Sequence, residues 1–502
     1  MDGRNFKKQA VKGSFWNVVS SLIQRIGGIA FTVIIARILL PEKFGLYSLV
    51  LSVSALFMML GDKGFNESLI RYFAEAGKNK GKAKTFFYYI LKIKLLVVFG
   101  LSALLVLASY PLAYILFKQP VAFAPLLISS VYILFSTFEN FFSGLFFAIK
   151  RVSYVAWAQT IYQFLRIVLV LIIFYFTFPS LSVTNLYIAL TLASLLTFGF
   201  LFWNSVRFEP YLFDRGINRI KKKDKSRMFG FVTFFTLTSV SFIILGSIDT
   251  VMLGALVNDT VPIGLYRSAF ALISSIAGFF GITQVLLPLF IKMDKKRLQD
   301  AFNKTFRYIM SLAIPAALGI AVLGNYFLFF VYGKEYLEAT LPLVVLSFII
   351  ILGVQSNLFV NLFLTKEKPK DYLGLLVFVI ILNIILNYLL IKFFLNYSVN
   401  LAATGVAIAT ILSWLIYTIG LNFLVKKKLN IKVNFGVMIK PIIAGIIMVL
   451  VIYYLKNWFA DINLFNGIIL VGFGILVYAS IMFIIRGFVK EDLSLIKILM
   501  KR

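Results

Sequence analysis

Apolar runs recur along this chain from end to end, separated by short stretches rich in polar residues, glycine or proline. Most are near or above the roughly 20 residues that cross about 30 Å of hydrocarbon as a helix. No water reaches stray backbone groups in that layer, so only helices or a closed barrel can span it. The runs lack the period-2 alternation of barrel strands, which leaves helices. The pattern predicts an all-α polytopic membrane protein with about fourteen spans, near 14–39, 44–61, 85–108, 121–148, 154–177, 182–204, 228–256, 262–290, 307–331, 341–364, 371–394, 401–425, 436–457 and 464–486. The first run is too long for a signal peptide's apolar core and carries Arg25 inside it, so it is expected to stay in the mature protein.

Composition agrees with the pattern. Of 502 residues 61% are hydrophobic and 14% charged, against about 25% charged in soluble proteins. The chain has no cysteine and no histidine. That removes disulfides, haem ligation, the usual zinc sites and the Cys–His and Ser–His–Asp forms of catalysis. No cofactor and no metal are expected. A protein without thiols is indifferent to redox compartment, so none is assigned.

The net charge of +30 raises the question of a nucleic-acid partner. Its distribution answers it: about 39 of the Lys and Arg fall on one side of the predicted spans and about five on the other. The rich side is expected to be cytoplasmic, with both termini there, in the cell membrane. The densest segment, "RGINRIKKKDKSR" (215–227), sets orientation and suits anionic lipid headgroups. Membrane lipids are expected partners; nucleic acid is not. Outward loops such as "LPEKF", "FPSLS", "VNDTV" and "LNYSVN" are short, while the stretches 62–84 and 291–306 are expected to be basic cytoplasmic loops.

An internal repeat organises the spans. A shift of 219 residues places Gly45-Leu46-Tyr47 in "ARILLPEKFGLYSLVLSVSALF" on Gly264-Leu265-Tyr266 in "GALVNDTVPIGLYRSAFALISSI". It superposes span one on seven and span two on eight. Six spans separate the copies, so both start on the same side. They are therefore parallel repeats, an arrangement in which transporters commonly put the substrate between the halves. The predicted divisions are a six-helix bundle over 1–204, a basic linker over 205–227, a second six-helix bundle over 228–425, and two further helices and a tail over 426–502.

At these residues the chain resembles a known family. "ARILLPEKFGLY" followed by "GDKGFNESLIRYFAE" is similar to the N-terminal signature of the polysaccharide-biosynthesis flippases, within the multidrug and oligosaccharidyl-lipid exporter superfamily. "DTVMLGALVNDTVPIGLYRSAF", "LVVLSFIIILGVQSNLFVNLFLTKEKP" and "LNIILNYLL…ATGVAIATILSWL" resemble its second half, so the likeness covers most of spans one to twelve. The resemblance implies two six-helix bundles in a V, two extra C-terminal helices, alternating access and a lipid-linked oligosaccharide as cargo. Glycosyltransferases or polymerases of the same pathway are implied partners, and a monomer is expected. One departure is "KSRMFGFVTFF" leading into span seven, which lacks the proline the family has there.

Charged residues inside the spans carry the functional reading. Each costs about 2.5–3.5 kcal/mol at the bilayer centre on insertion scales, so it should face a cavity or a partner. Arg25 lies eleven residues into span one, roughly 16 Å deep at 1.5 Å per residue. Asn17, Ser21, Gln24, Arg25, Gly28 and Thr32 recur at steps of three or four and form one polar stripe, expected to face a hydrated cavity. The bland alternative is close packing through Gly27 and Gly28 with Arg25 paired to an acid.

Span eight repeats the stripe with Arg267, Ala271, Ser274, Gly278 and Gly281. Asp249 in span seven is a candidate partner of Arg267, structural or gating. Arg166 in span five is expected to pair with Glu139 in span four, or to meet cargo. Arg37 can anchor the outer end of span one, and Tyr47, Tyr266, Asn383 and Asn387 suit helix packing. The candidate substrate cavity is therefore Arg25, Gln24, Asn17, Ser21, Arg166, Asp249 and Arg267, with no catalytic residue.

Arginines 25, 37, 166 and 267 outnumber the acids 139 and 249, which suits an anion. A guanidinium's planar fork matches phosphate oxygens. The reading is a flippase that moves a polyprenyl-(di)phosphate-linked oligosaccharide, or a similar anionic glycolipid, from the cytoplasmic to the outer leaflet. A cation-coupled exporter of organic cations in the same superfamily is the alternative, and it would want more carboxylates. An enzyme is not expected, because Asp214, Asp224, Asp294 and Asp300 sit in basic solvated runs without a metal-like cluster.

Overall fold

The computed structural model describes residues 3–77, 79–178, 181–214, 222–280, 293, 295–366, 370–458 and 462–487. All regular structure among them is helical: α1 (Gly3–Ala76), α2 (Lys80–Tyr110), α3 (Phe123–Ala148), α4 (Val152–Thr177), α5 (Val183–Phe208), α6 (Lys222–Leu256), α7 (Val261–Phe279), α8 (Lys295–Val331), α9 (Thr340–Ser347), α10 (Ile349–Thr365), α11 (Lys370–Leu395), α12 (Ala402–Leu424), α13 (Ile439–Lys456) and α14 (Leu464–Ile484). Among the described residues there are fourteen α-helices, the number of spans the hydrophobic pattern predicts, and twelve helical stretches are long and apolar enough to cross a membrane. One of these stretches, Phe15–Ala76, takes in both arms of α1, which breaks at Leu40 (φ 59, ψ 172), and α9 with α10 form another. The missing N–H of Pro41 and its steric pressure on the residue before it account for a break there.

Two of the expected loops are helix instead. The second arm of α1 runs on to Ala76, so 62–76 is helical, and α2 begins at Lys80. α8 likewise begins at Lys295 and takes in most of the second basic stretch. The window that marks an apolar run stops at its first charges, but the hydrogen-bonded helix does not. Where α6 enters without a proline it is continuous from Lys222. Residues 281–290 of span eight, with Gly281, and residues 215–221 of the basic linker lie outside the described residues. Polar residues close several helix starts: Asn79 Oδ1 accepts from Lys82 N (2.9 Å), Ser182 Oγ from Asn185 N (3.1 Å) and Asn463 Oδ1 from Asn466 N (2.8 Å).

The chain forms two compact units, 1–264 and 265–502. In the first, α6 packs along α1, and an aromatic core of Tyr72, Phe86, Phe87, Phe141 and Phe146 joins α1, α2 and α3. Ser102 Oγ donates to Ser130 O (2.9 Å), tying α2 to α3. In the second, α13 and α14 pack on α8 through Tyr326, Met448, Ile452 and Leu470, and Ser356 bonds Thr418 across α10 and α12 (2.8 Å).

Within the first unit the two repeat turns touch through bare backbone. A Cβ on Gly45 would lie 1.9 Å from Thr260 O, and one on Gly264 2.0 Å from Pro41 O. Thr260 Oγ1 also donates to Glu42 O (2.9 Å). The glycines that mark the repeat in sequence are therefore the ones that let its two turns interlock. At the opposite, basic end, Glu75 accepts from Lys82 Nζ (3.1 Å) and from Arg227 of α6.

Gly45→Ala or Gly264→Ala is expected to destabilise the protein by about 1–3 kcal/mol, the range for overpacking, as a lowered thermal midpoint in detergent. The Arg227 hydrogen bond, ahead of that of Lys82, holds the Glu75 carboxyl below its ordinary value of 4.5. A lowered carboxylate stabilises the fold above the ordinary value and ceases to as pH falls through the lowered one. Stability titrated downward from pH 5 should show that small acid-side loss, and Glu75→Gln should remove it.

Candidate functional site

The first arm of α1 carries its polar stripe as the helical period dictates. Asn17, Ser21, Gln24 and Arg25 are exposed, Gly28 and Thr32 are half-buried, and Thr32 Oγ1 donates to Gly28 O (2.9 Å). Arg37 is exposed near the break at Leu40.

Span five docks on this arm at the paired glycines. A Cβ on Gly27 would sit 2.7 Å from Gln163 Cγ, and one on Gly28 3.8 Å from Arg166 Nη2. Arg166 Nη2 donates to Gly27 O (3.1 Å), and its guanidinium lies over Phe31 (4.2 Å) and beside Tyr162 (5.3 Å). Close packing through Gly27 and Gly28 thus occurs, and it brings a second arginine against the arm of α1 that carries Arg25. The expected Arg166–Glu139 ion pair is not made. Glu139 is 5% exposed and accepts no hydrogen bond among the described residues. The reason is register: the carbonyl of Gly27 is within reach of the guanidinium, while Glu139 belongs to α3.

Sequence reasoning missed another polar centre. Lys94 of α2 is fully buried and donates to Asp62 Oδ1 (3.0 Å), while Asn140 Nδ2 donates to Asp62 Oδ2 (2.9 Å). The ammonium also lies 5.3 Å from the Phe141 ring and 5.9 Å from that of Phe65. The signal was available, since Lys94 stands in the middle of the apolar run "YYILKIKLLVVFG". Asp62 was assigned to a loop because the apolar window ended one residue before it. The pair adds one charge of each sign, so the excess of cations over acids is unchanged.

Asp249 is fully buried on α6 in the first unit, and Arg267 is half-buried on α7 in the second, its guanidinium 5.4 Å from the Phe270 ring. Tyr47, Tyr266, Asn383 and Asn387 are buried in helix packing; Tyr187 Oη donates to Tyr47 O (3.2 Å) and Asn387 Nδ2 to Asn383 Oδ1 (3.1 Å). No group of three or more acidic, histidine or cysteine side chains is placed to hold a metal among the described residues.

The second unit holds an apolar groove of about 400 Å³ between α8, α13 and α14, lined by Leu312, Ala316, Gly319, Met448, Gly474 and Tyr478. A second cavity of about 280 Å³ shares Leu323, Phe327 and Val471 with it and reaches Phe330 and Leu464. From Leu312 to Phe330 the wall follows eighteen residues of helix, about 27 Å at 1.5 Å each, close to the hydrocarbon thickness.

The long apolar helices define a multi-pass helical membrane protein. Residues 10–294 match the family described as polysaccharide biosynthesis protein, and the chain belongs to that family. An uncharacterized membrane protein in the cps region of Klebsiella pneumoniae is 25% identical over 400 residues, covering 75% of this chain and 76% of the relative. Among solved structures, the lipid II flippase MurJ in an inward closed conformation superposes with a TM-score of 0.77 at 18% identity, covering 94% of this chain and 98% of that one. An inward-facing multidrug resistance MATE family transporter of the MOP superfamily does so with a TM-score of 0.63 at 14% identity, covering 82% and 99%.

Lys94→Met should take the ammonium from the half-buried Asp62 at a cost of about 3–5 kcal/mol. Asp62→Asn with Lys94→Met should recover most of that, read as unfolding midpoints of the three proteins.

Proposed function

We propose that this chain moves a polyprenyl-(di)phosphate-linked oligosaccharide, or a similar anionic glycolipid, from the cytoplasmic to the outer leaflet by alternating access, with both termini cytoplasmic. The observation that carries this reading is the docking of Arg166 at Gly27 and Gly28, which adds a second guanidinium to the arm that bears Arg25. Two always-ionised forks on one helix arm suit the oxygens of a diphosphate.

Gln24, Ser21 and Asn17 offer hydrogen bonds to a hydrated headgroup, and Asp249 and Arg267 are candidate residues of the same pathway. The apolar groove in the second unit offers a bed for a hydrocarbon chain. Family membership supports a role in polysaccharide biosynthesis, and the likeness in fold to the lipid II flippase MurJ is consistent with lipid-linked cargo.

With an inside-negative potential, each negative charge moved outward gains about 2.3 kcal/mol per 100 mV. A doubly charged diphosphate therefore gains about 4–5 kcal/mol, enough to drive export without an antiported ion. Liposomes holding a fluorescent sugar on a polyprenyl diphosphate test the reading. Wild type should expose the label to an external quencher, Arg25→Lys should do so more slowly, and Arg25→Ala should lose most of the rate. Equal rates in all three would remove Arg25 from the site.

A further inference from the structure

The basic end of the first unit carries a pair of arginines that the transport reading does not use. Arg151 stands at the start of α4, fifteen residues or about 22 Å of helix before Arg166, and Arg207 lies in the last turn of α5. Both are exposed. Their guanidiniums approach one ring, that of Phe208, at 3.9 Å for Arg151 and 5.9 Å for Arg207. Phe208 packs in turn on Tyr154 (5.0 Å), and Tyr154 stacks on Phe146 (5.2 Å). Neither arginine enters an ion pair among the described residues. Glu209, the acid next in the chain, hydrogen-bonds Tyr211.

An apolar groove of about 350 Å³ begins two residues from Arg151, lined by Ser153, Tyr154, Trp157, Ile161 and Phe200. It lies between α4 and α5, and from Ser153 to Ile161 it follows eight residues of α4, about 12 Å at 1.5 Å each. On α5 the same number of residues separates Phe200 in the groove from Phe208 under the arginines. Tyr154 belongs both to the groove and to the ring stack, so charge and groove form one continuous surface. Trp157 is 56% exposed. Tryptophan and tyrosine settle at the headgroup level of a bilayer, which is where this surface passes from charged to apolar.

We propose that this surface seats one anionic phospholipid of the cytoplasmic leaflet, with its phosphate at Arg151 and Arg207 and an acyl chain along Trp157 and Ile161. From the function proposed above the inference takes only the orientation of the basic end. Two guanidinium forks without a carboxylate match phosphate oxygens. The groove beneath them takes hydrocarbon, and the cytoplasmic leaflet is the one rich in anionic lipid. A free phosphate answers only the arginines. A zwitterionic lipid brings a second cation beside them. A lipid seated here bridges the α3–α4 turn and the end of α5.

Brominated acyl chains quench tryptophan on contact, which makes Trp157 the reporter. The full chain in neutral detergent is titrated with brominated phosphatidylglycerol and, separately, with brominated phosphatidylcholine. Phosphatidylglycerol should quench at several-fold lower concentration, and Trp157→Phe should remove that tight component. Arg151→Gln with Arg207→Gln should abolish the preference between the two lipids. Lys426→Gln with Lys428→Gln, which strips the same charge from exposed positions just beyond α12, should keep it.

Equal quenching by the two lipids, an unchanged preference in the double arginine variant, or an equal loss in the double lysine variant would overturn the proposal. So would displacement of the brominated lipid by inorganic phosphate at a comparable concentration, which would make this a site for a free anion. Both arginines are exposed, so their variants should keep the wild-type unfolding midpoint, and a variant that fails to fold contradicts the surface role assigned to them.

Discussion

An ionised side chain inside hydrocarbon must find an opposite charge, a hydrogen-bonding partner or water, and the first unit is arranged around that constraint. Lys94 meets it fully, with a carboxylate at 3.0 Å, two aromatic faces and an amide from Asn140 completing Asp62. Arg166 meets it with the Gly27 carbonyl, the face of Phe31 and the side chain of Tyr162. Glu139 does not meet it with a hydrogen bond at all. This gradation from satisfied to unsatisfied distinguishes charges that hold the unit together from charges available for work. A fully paired ammonium is structural.

Backbone approach makes the arrangement possible. Gly27 and Gly28 let α4 come close enough for an arginine to reach the backbone of α1. Gly45 and Gly264 let the two repeat turns meet carbonyl to α-carbon. Without a strong hydrophobic drive between helices in lipid, small residues at contacts let van der Waals packing and polar bonds do the joining. The same glycines serve as sequence marks of the repeat and as contact points in space.

Much of the fold was legible because it follows from lengths and periods. Fourteen apolar runs are matched by fourteen described α-helices, and the three-to-four spacing of Asn17, Ser21, Gln24 and Arg25 became one exposed face. The polar turn before Gly45 was legible as a turn, but not as the partner of Thr260, since that contact depends on tertiary placement. Lys94 and Asp62 were overlooked for different reasons. Lys94, with Lys92 two residues before it, is a cation in a run that still passes as apolar, and Asp62 follows a glycine at the point where hydropathy falls. The Arg166–Glu139 pair was expected from charge and depth alone. Which acceptor an arginine reaches depends on the rotation of one helix against another, and a single sequence does not carry that angle.

The central claim is that the positive face of the first unit exists for an anion carried on a lipid. The most direct measurement compares one fluorescent oligosaccharide on two carriers in liposomes of the wild-type protein, a polyprenyl diphosphate and an uncharged lipid, with and without an inside-negative potential. The account predicts that the diphosphate form is exported, that the potential speeds it, and that the uncharged form lags under both conditions. Equal export of the two forms, or export of an organic cation dye while neither sugar lipid moves, would contradict it.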